Sequence, residues 1–119
     1  MKLLPTLALF IALAACNPKP DSLVGTWTVD KVHVQFDEQK STPELVRQTG
    51  EMERQNSFSI DADSLLVFKG LEETWQGRIN FRNDTLFHAG TVFGVWKEGQ
   101  IVTHIGSPLG EVTITYKKE

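Results

Sequence analysis

Apolar and polar residues alternate in short runs over most of the chain, as they do in half-buried β-strands. The clearest run places Trp75, Gly77, Ile79 and Phe81 on one face and polar residues on the other. Turn residues such as Asp, Asn, Gly and Ser separate the runs. The pattern predicts eight strands, at about 25–36, 57–61, 64–69, 73–81, 85–89, 91–97, 100–105 and 111–117.

The connections between these strands determine the predicted fold. Most of them are only a few residues long, so strands that follow one another must be antiparallel neighbours. A sheet with one apolar face has to cover that face, and closing eight strands on themselves covers it without leaving exposed edges. We therefore expect an all-β domain, an eight-stranded antiparallel up-and-down barrel.

The first strand changes phase along its length. Trp27 and Val29 share one parity, whereas the apolar residues that follow take the other: Val32, Val34 and Phe36. A bulge or sharp bend near Asp30 or Lys31 would keep all five side chains inside the barrel.

One short helix is expected between the first two strands. Thr42 is a favourable N-cap, Pro43 suits the first helical position, and Glu44 places an acidic group in the first turn. Leu45 and Met52 then share one face of a helix over about 43–55. Because this apolar stripe is thin, we expect the helix to lie over one mouth of the barrel.

The chain begins with the pattern of a secretory signal. Lys2 precedes an apolar stretch, Leu3 to Ala15, that is too short to span a bilayer, since spanning takes roughly 20 residues. Leu13-Ala14-Ala15-Cys16 then matches a lipobox, in which the cysteine thiol receives diacylglycerol and becomes the mature N-terminus. The alternative is ordinary cleavage after a nearby alanine, with Cys16 incidental.

These signals divide the chain into a signal peptide at 1–15, lipidated Cys16 with a tether over 16–22, and one domain at 23–119. The tether is polar, carries two prolines and shows no periodicity. Acyl chains such as palmitate contribute roughly 0.8 kcal/mol per buried methylene, so two or three chains make attachment effectively permanent. We expect the protein in the bacterial cell envelope, at the outer membrane.

Charge narrows the range of partners. The formal net charge is -3, and removal of residues 1–15 makes it -4, because Lys2 is lost and no acidic residue is. This mildly acidic, scattered balance argues against nucleic acid and against electrostatic attachment to anionic lipid. Membrane attachment would therefore depend on lipid at Cys16.

The segment Gly25-Thr26-Trp27 resembles the Gly-x-Trp motif that opens the first strand of lipocalin-like domains. The resemblance implies that Gly25 lets the chain enter the barrel tightly and that Trp27 packs across its closed end. The final strand ends in Thr-x-Tyr followed by basic residues, over 113–118, and this too resembles the small bacterial lipocalin-like lipoproteins.

The chain also departs from that family. It is shorter than the long lipocalins and lacks their late arginine, leaving Lys117 or Lys118 to cover the tryptophan. The small secreted domain of heat-shock and motility lipoproteins, which opens on a similar strand, is the alternative family.

A barrel of eight strands has room inside for side chains or for one small ligand. Seven aromatic residues either line such a pocket or fill it: Trp27, Phe58, Phe68, Trp75, Phe81, Phe93 and Tyr116. The inward face of the fourth strand is the candidate ligand-binding surface, with Trp75, Gly77, Ile79 and Phe81. A glycine at that position either opens space or allows close backbone packing.

No catalytic site, metal site or cofactor is expected. The chain has no nucleophile elbow, phosphate loop or paired-cysteine motif. Glu72 and Glu73 are neighbours on a strand, so they point to opposite faces and do not form a catalytic pair. Asp61-Ala62-Asp63 is interpreted as a turn, because the rest of a calcium loop is missing. The three histidines are not expected to converge on a metal: His33, His88 and His104.

Two functions remain open from the sequence. The first is a lipid-anchored barrel that binds a small apolar or amphiphilic ligand. The second is a filled barrel that contacts another envelope protein as an accessory subunit or inhibitor. Phe93 and Trp96 have opposite parity, so one should face outward, and Trp96 is the candidate partner contact. The volume of the interior distinguishes the two functions.

Overall fold

The computed structural model describes residues 21–119, so the predicted signal peptide at 1–15 and Cys16 lie outside the described residues. Within this range a 3-10 helix spans Asp21–Leu23 and an α-helix, α1, spans Pro43–Glu53. The strands are β1 Gly25–Phe36, β2 Ser57–Ile60, β3 Leu65–Lys69, β4 Thr74–Arg82, β5 Thr85–His88, β6 Thr91–Lys97, β7 Gln100–Ser107 and β8 Gly110–Lys118. The boundaries predicted from the sequence differ from these by at most two residues.

The strands close into one barrel in sequence order, and β8 pairs with β1. Every neighbouring pair is antiparallel. The predicted fold, an eight-stranded antiparallel barrel with one short helix between the first two strands, is confirmed. Each strand pairs with a neighbour on both sides over at least part of its length, which closes the barrel. The β6–β7 pairing is short, from Val95 to Lys97 opposite Gln100 to Val102.

The predicted bulge in β1 is also confirmed. Val29 lies opposite Tyr116 and Lys31 lies opposite Thr115, so Asp30 is the extra residue. The bulge reverses the parity of the strand, and the apolar residues before and after it pack against the core.

The turns follow the chemistry of their residues. Asn83 and Asp84 both have positive φ, 53° and 62°, as a two-residue hairpin turn between β4 and β5 requires. Asp61 Oδ1 accepts hydrogen bonds from the backbone N–H groups of Asp63 and Leu65, at 2.8 and 3.0 Å. The turn predicted at 61–63 is therefore confirmed.

The two ends of the barrel differ. The 3-10 helix lies at the end where β1 begins, and large apolar side chains fill the interior there. These side chains are all at most 2 % exposed: Leu23, Trp27, Phe58, Ile60, Leu66, Leu86, Ile101 and Ile114. The other end carries α1 and the β3–β4, β5–β6 and β7–β8 turns, as antiparallel order requires. We call the first the closed end and the second the open end.

Trp27 ties the 3-10 helix to the barrel at the closed end. Its ring lies nearly parallel to that of Phe58, with centroids 6.1 Å apart. Its indole N–H donates a hydrogen bond to the Leu23 carbonyl at 3.0 Å. The indole thus satisfies its one polar atom while the ring stays buried.

Lys118 covers the outside of the same end. Its ammonium donates hydrogen bonds to the Ser22 and Val24 carbonyls, at 3.1 and 3.0 Å. Its methylene stem lies against Gly25, where a Cβ atom would be 3.0 Å from Lys118 Cδ. Gly25 also has a φ of 144°, which other residues rarely adopt, so both packing and backbone favour glycine there.

Helix α1 lies beside the open end, as predicted from its thin apolar stripe. Thr42 Oγ1 accepts a hydrogen bond from the Leu45 N–H at 3.2 Å, which caps the helix as expected. No residue of α1 is fully buried. The helix therefore borders the barrel mouth instead of filling the interior.

Candidate functional site: a cavity at the open end

A cavity of about 500 Å³ occupies the open end of the barrel. It lies between the end of α1, the β3–β4 turn and strands β6, β7 and β8. Small-molecule sites commonly have volumes of about 300–1,000 Å³. The sequence left open whether the interior side chains fill the barrel or line a pocket. In the structure they fill the closed end and line a cavity at the open end.

Aromatic rings form one wall of the cavity. Trp75 lies nearly parallel to Phe68, with ring centroids 5.6 Å apart, and makes an edge contact with Phe93 at 6.0 Å. His88 stacks on the same indole at 4.7 Å. Because rings contact Trp75 on three sides, its position is fixed before any ligand arrives.

Polar side chains converge on the other wall. Asn56 and Thr103 are the buried polar residues among those described, at 8 % and 7 % exposure, and both line the cavity. The Asn56 amide donates hydrogen bonds to Glu53 Oε2 at 2.7 Å and to the Tyr116 hydroxyl at 3.4 Å. Burying polar groups is costly unless they are bonded, so their gathering at one cavity marks it as the candidate site.

Tyr116 contributes a neutral hydroxyl to this wall. Burial raises the pKa of Tyr116 to about 12, and the charge of Glu53 also raises it, against the lowering effect of hydrogen bonds with Asn56 and Thr103. The phenol is therefore protonated at neutral pH, where its oxygen can both donate and accept a hydrogen bond.

The rim of the cavity is unusually apolar for a surface. Leu71, Val92 and Ile105 line it at 64 %, 55 % and 43 % exposure. Val95, at 36 %, is the one other exposed large aliphatic residue in the described range, and it does not line the cavity. Exposed apolar groups around a concave site are typical of a surface that contacts a ligand or partner.

Of the four predicted ligand-binding residues, Trp75 alone lines the cavity. Gly77 lies under the His88 ring, where an added Cβ would be 2.2 Å from His88 Cε1. Ile79 belongs to the buried core, and Phe81 packs nearer the closed end. The fourth strand runs the depth of the barrel, so its inward face passes from the cavity into the core.

The expectation that Phe93 or Trp96 faces outward is wrong. A register shift where β6 pairs with β5 changes the parity of β6 between these residues. Phe93 lines the cavity, while Trp96 pairs with buried Ile101 and makes an edge contact with Phe81 at 5.9 Å. The Trp96 indole nitrogen is buried without a hydrogen-bond partner among the described residues. Trp96 therefore does not project outward, as it was expected to do as the candidate partner contact.

The histidines lie on different faces of the barrel. His88 points inward against Trp75, whereas His104 Nδ1 lies 3.1 Å from Thr113 Oγ1 on the outer face. Among residues 21–119, no group of three or more His, Cys, Asp or Glu side chains is placed to hold a metal ion.

Asn56 and Thr103 were not singled out from the sequence. The inward direction of Thr103 could have been predicted from the sequence, because Thr103 alternates in step with Ile101 and Ile105 on β7. The direction of Asn56 could not have been predicted, because Asn56 lies between α1 and β2, where side chains follow no regular alternation.

No family model, curated protein or solved structure matches the chain. Over the part of the chain that the structure describes, no helix is long and apolar enough to cross a bilayer. The class defined by the described residues is a closed, eight-stranded antiparallel barrel with a side-chain-lined cavity at one end.

Proposed function

We propose that this chain is a lipocalin-like lipoprotein of the bacterial cell envelope whose barrel binds a small apolar or amphiphilic molecule. The observation that carries ligand binding is the open-end cavity, with aromatic rings on one wall and buried polar groups on the other. An apolar body would contact Phe68, Trp75 and Phe93. A polar group on the same molecule would reach Asn56, Thr103 or the Tyr116 hydroxyl.

The membrane part of the proposal depends on the sequence. The lipobox Leu13-Ala14-Ala15-Cys16 supports acylation at Cys16 and attachment to the outer membrane. The described chain enters the barrel at the closed end, through Asp21–Leu23. An anchor five residues before Asp21 would hold that end near the bilayer, because five extended residues span at most about 18 Å. The cavity would then open away from the membrane.

The ligand-binding proposal is tested by titrating the full-length lipoprotein, in maltoside micelles, with phenylbutanol as a neutral apolar probe. Binding is followed by calorimetry, with micelles alone as the blank. A probe of this size is expected to bind with a dissociation constant in roughly the micromolar to millimolar range.

Two matched variants make the test specific. Ile105→Trp adds an indole at the cavity rim and should weaken probe binding at least about tenfold, because it occupies ligand volume. Val95→Trp adds the same group at an exposed site that does not line the cavity, and it should leave binding unchanged. Absence of binding, or equal binding by both variants, would contradict a ligand site at the open end.

A second candidate function is a protein-interaction module without catalytic activity. The exposed rim formed by Leu71, Val92 and Ile105 favours it, since exposed apolar residues are also typical of protein contacts. In that case a protein would cover the mouth, and the wild-type chain would bind no apolar probe in the titration above.

A further inference from the structure

The charge around the cavity is one-sided. Glu53, Glu72 and Glu73 line it, and no lysine or arginine among the described residues does. Glu72 and Glu73 were expected on a strand with opposite directions, but they lie in the β3–β4 turn, where both reach the cavity. None of these three carboxylates forms an ion pair within the described residues. Glu53 accepts a hydrogen bond from Asn56, but that amide carries no charge. The negative charge at the cavity is therefore not neutralised by a described cationic side chain.

The other titratable groups at the cavity do not change this balance. Burial keeps Tyr116 neutral by raising its pKa to about 12. His104 also lines the cavity, and its Nδ1 lies 3.6 Å from Glu111 Oε1, so Glu111 would balance the charge of a protonated imidazole. An anionic ligand would therefore meet carboxylates with no opposing cation.

The aromatic wall, like the carboxylates, favours a cationic ligand. The faces of aromatic rings carry negative electrostatic potential and attract cations. Phe68 and His88 stack on the Trp75 indole, so Trp75 supplies apolar contact instead of a free ring face. Phe68, Trp75, Phe93 and Tyr116 all line the cavity. Carboxylates and several rings around one volume are the arrangement that stabilises an organic ammonium group while its apolar substituents are desolvated.

We propose that the cavity selects organic cations, namely an ammonium group that carries apolar substituents, over neutral and anionic molecules of the same shape. This inference rests on the proposed function, because it assigns the ligand class of the same cavity. The aromatic wall takes the substituents, and Glu53, Glu72 and Glu73 stabilise the charge. Fatty acids and other apolar carboxylates are disfavoured, since like charges at one site repel.

The experiment compares three probes that share one apolar group and differ in charge: phenylbutylamine, phenylbutanol and phenylbutyrate. Each is titrated by calorimetry into the full-length lipoprotein in maltoside micelles, with micelles alone as the blank. Phenylbutylamine, which is cationic at neutral pH, should bind about tenfold more tightly than phenylbutanol, and phenylbutyrate should bind most weakly. The advantage of the amine should shrink at high salt, because salt screens charges at an open mouth.

Neutralising two of the cavity carboxylates tests whether they cause the preference for cations. Glu72→Gln with Glu73→Gln should weaken phenylbutylamine about threefold per carboxylate, or about tenfold together, as for exposed ion pairs. Phenylbutanol binding should not change. The control, Asp84→Asn with Glu98→Gln, removes the same charge from turns at the closed end and should leave all three affinities as in the wild type.

The outcomes separate this inference from the proposed function. Equal or tighter binding of phenylbutyrate would overturn cation selection while leaving a ligand site in place. The same loss of phenylbutylamine affinity in the closed-end control would also overturn it, since the effect would then come from net charge. Failure of all three probes to bind would overturn both proposals.

Discussion

Replacing Gly77 by Ala tests the packing beneath the cavity. An ideal Cβ at this position would lie 2.2 Å from Cε1 and 2.8 Å from Nδ1 of His88. Contacts this short are not tolerated, so the imidazole has to move. His88 also stacks on Trp75, so its movement would remove one of the rings that hold the cavity wall in place.

The expected magnitude has two opposing parts. Overpacking of this kind typically costs about 1–3 kcal/mol. Glycine within a strand is itself less favourable than alanine by roughly 0.5–1 kcal/mol, so the substitution regains part of the loss. The net loss should be about 1–2 kcal/mol, which lowers Tm by roughly 5–15 °C in a domain of this size. In a His88→Ala background the clash is absent, and the same substitution should stabilise by about 0.5–1 kcal/mol.

A double-mutant cycle measures this change of sign. Free energies of unfolding are obtained by urea denaturation of the wild type, Gly77→Ala, His88→Ala and the double variant. We expect a coupling energy of about 1–3 kcal/mol between the two positions. Equal effects of Gly77→Ala in both backgrounds would refute the reasoning, because His88 would then not lie over Gly77.

Three further predictions concern other parts of the chain. Cys16→Ala should abolish incorporation of a palmitate label and release the protein from membranes; unchanged membrane fractionation would contradict lipidation. Trp27→Ala should cost about 3–5 kcal/mol in urea denaturation, since the indole is 1 % exposed, and a Tm within a degree or two of the wild type would contradict its role at the closed end. Tyr116 is the single tyrosine, so its phenolate absorbance should titrate near pH 12 in the folded protein, and unfolding free energy should fall as pH rises from about 10 to 12 because the native state retains the proton longer. A midpoint near 10 in the folded protein would mean that Tyr116 is not buried.

The alternation of side chains was sufficient to predict the barrel. Inward parity on β4 and β8, together with short turns, leaves antiparallel neighbours as the simple solution. The parity change between Val29 and Val32 predicted a bulge or bend near Asp30 or Lys31, and the structure has a bulge at Asp30. Alternation predicts side-chain direction well in this barrel because each strand must bury its apolar face.

The candidate site was harder to predict, for two physical reasons. Alternation shows that Trp75 and Ile79 both point inward, but it does not show that one lies at the open end and the other in the core. The second reason is the register shift where β6 pairs with β5. Phe87 lies opposite Val92 and Leu86 opposite Gly94, so Phe93 is an extra residue in β6. Simple alternation does not predict such a bulge, and it therefore placed Phe93 and Trp96 on opposite faces.

Native mass spectrometry of the mature protein, extracted from its own membrane, tests the central claim most directly. The spectrum should show a chain that begins at an acylated Cys16, together with a small-molecule adduct of defined mass. The adduct should be lost in Ile105→Trp and retained in Val95→Trp. An unadducted wild-type chain, or the same adduct in both variants, would contradict a ligand site in the open-end cavity of this barrel.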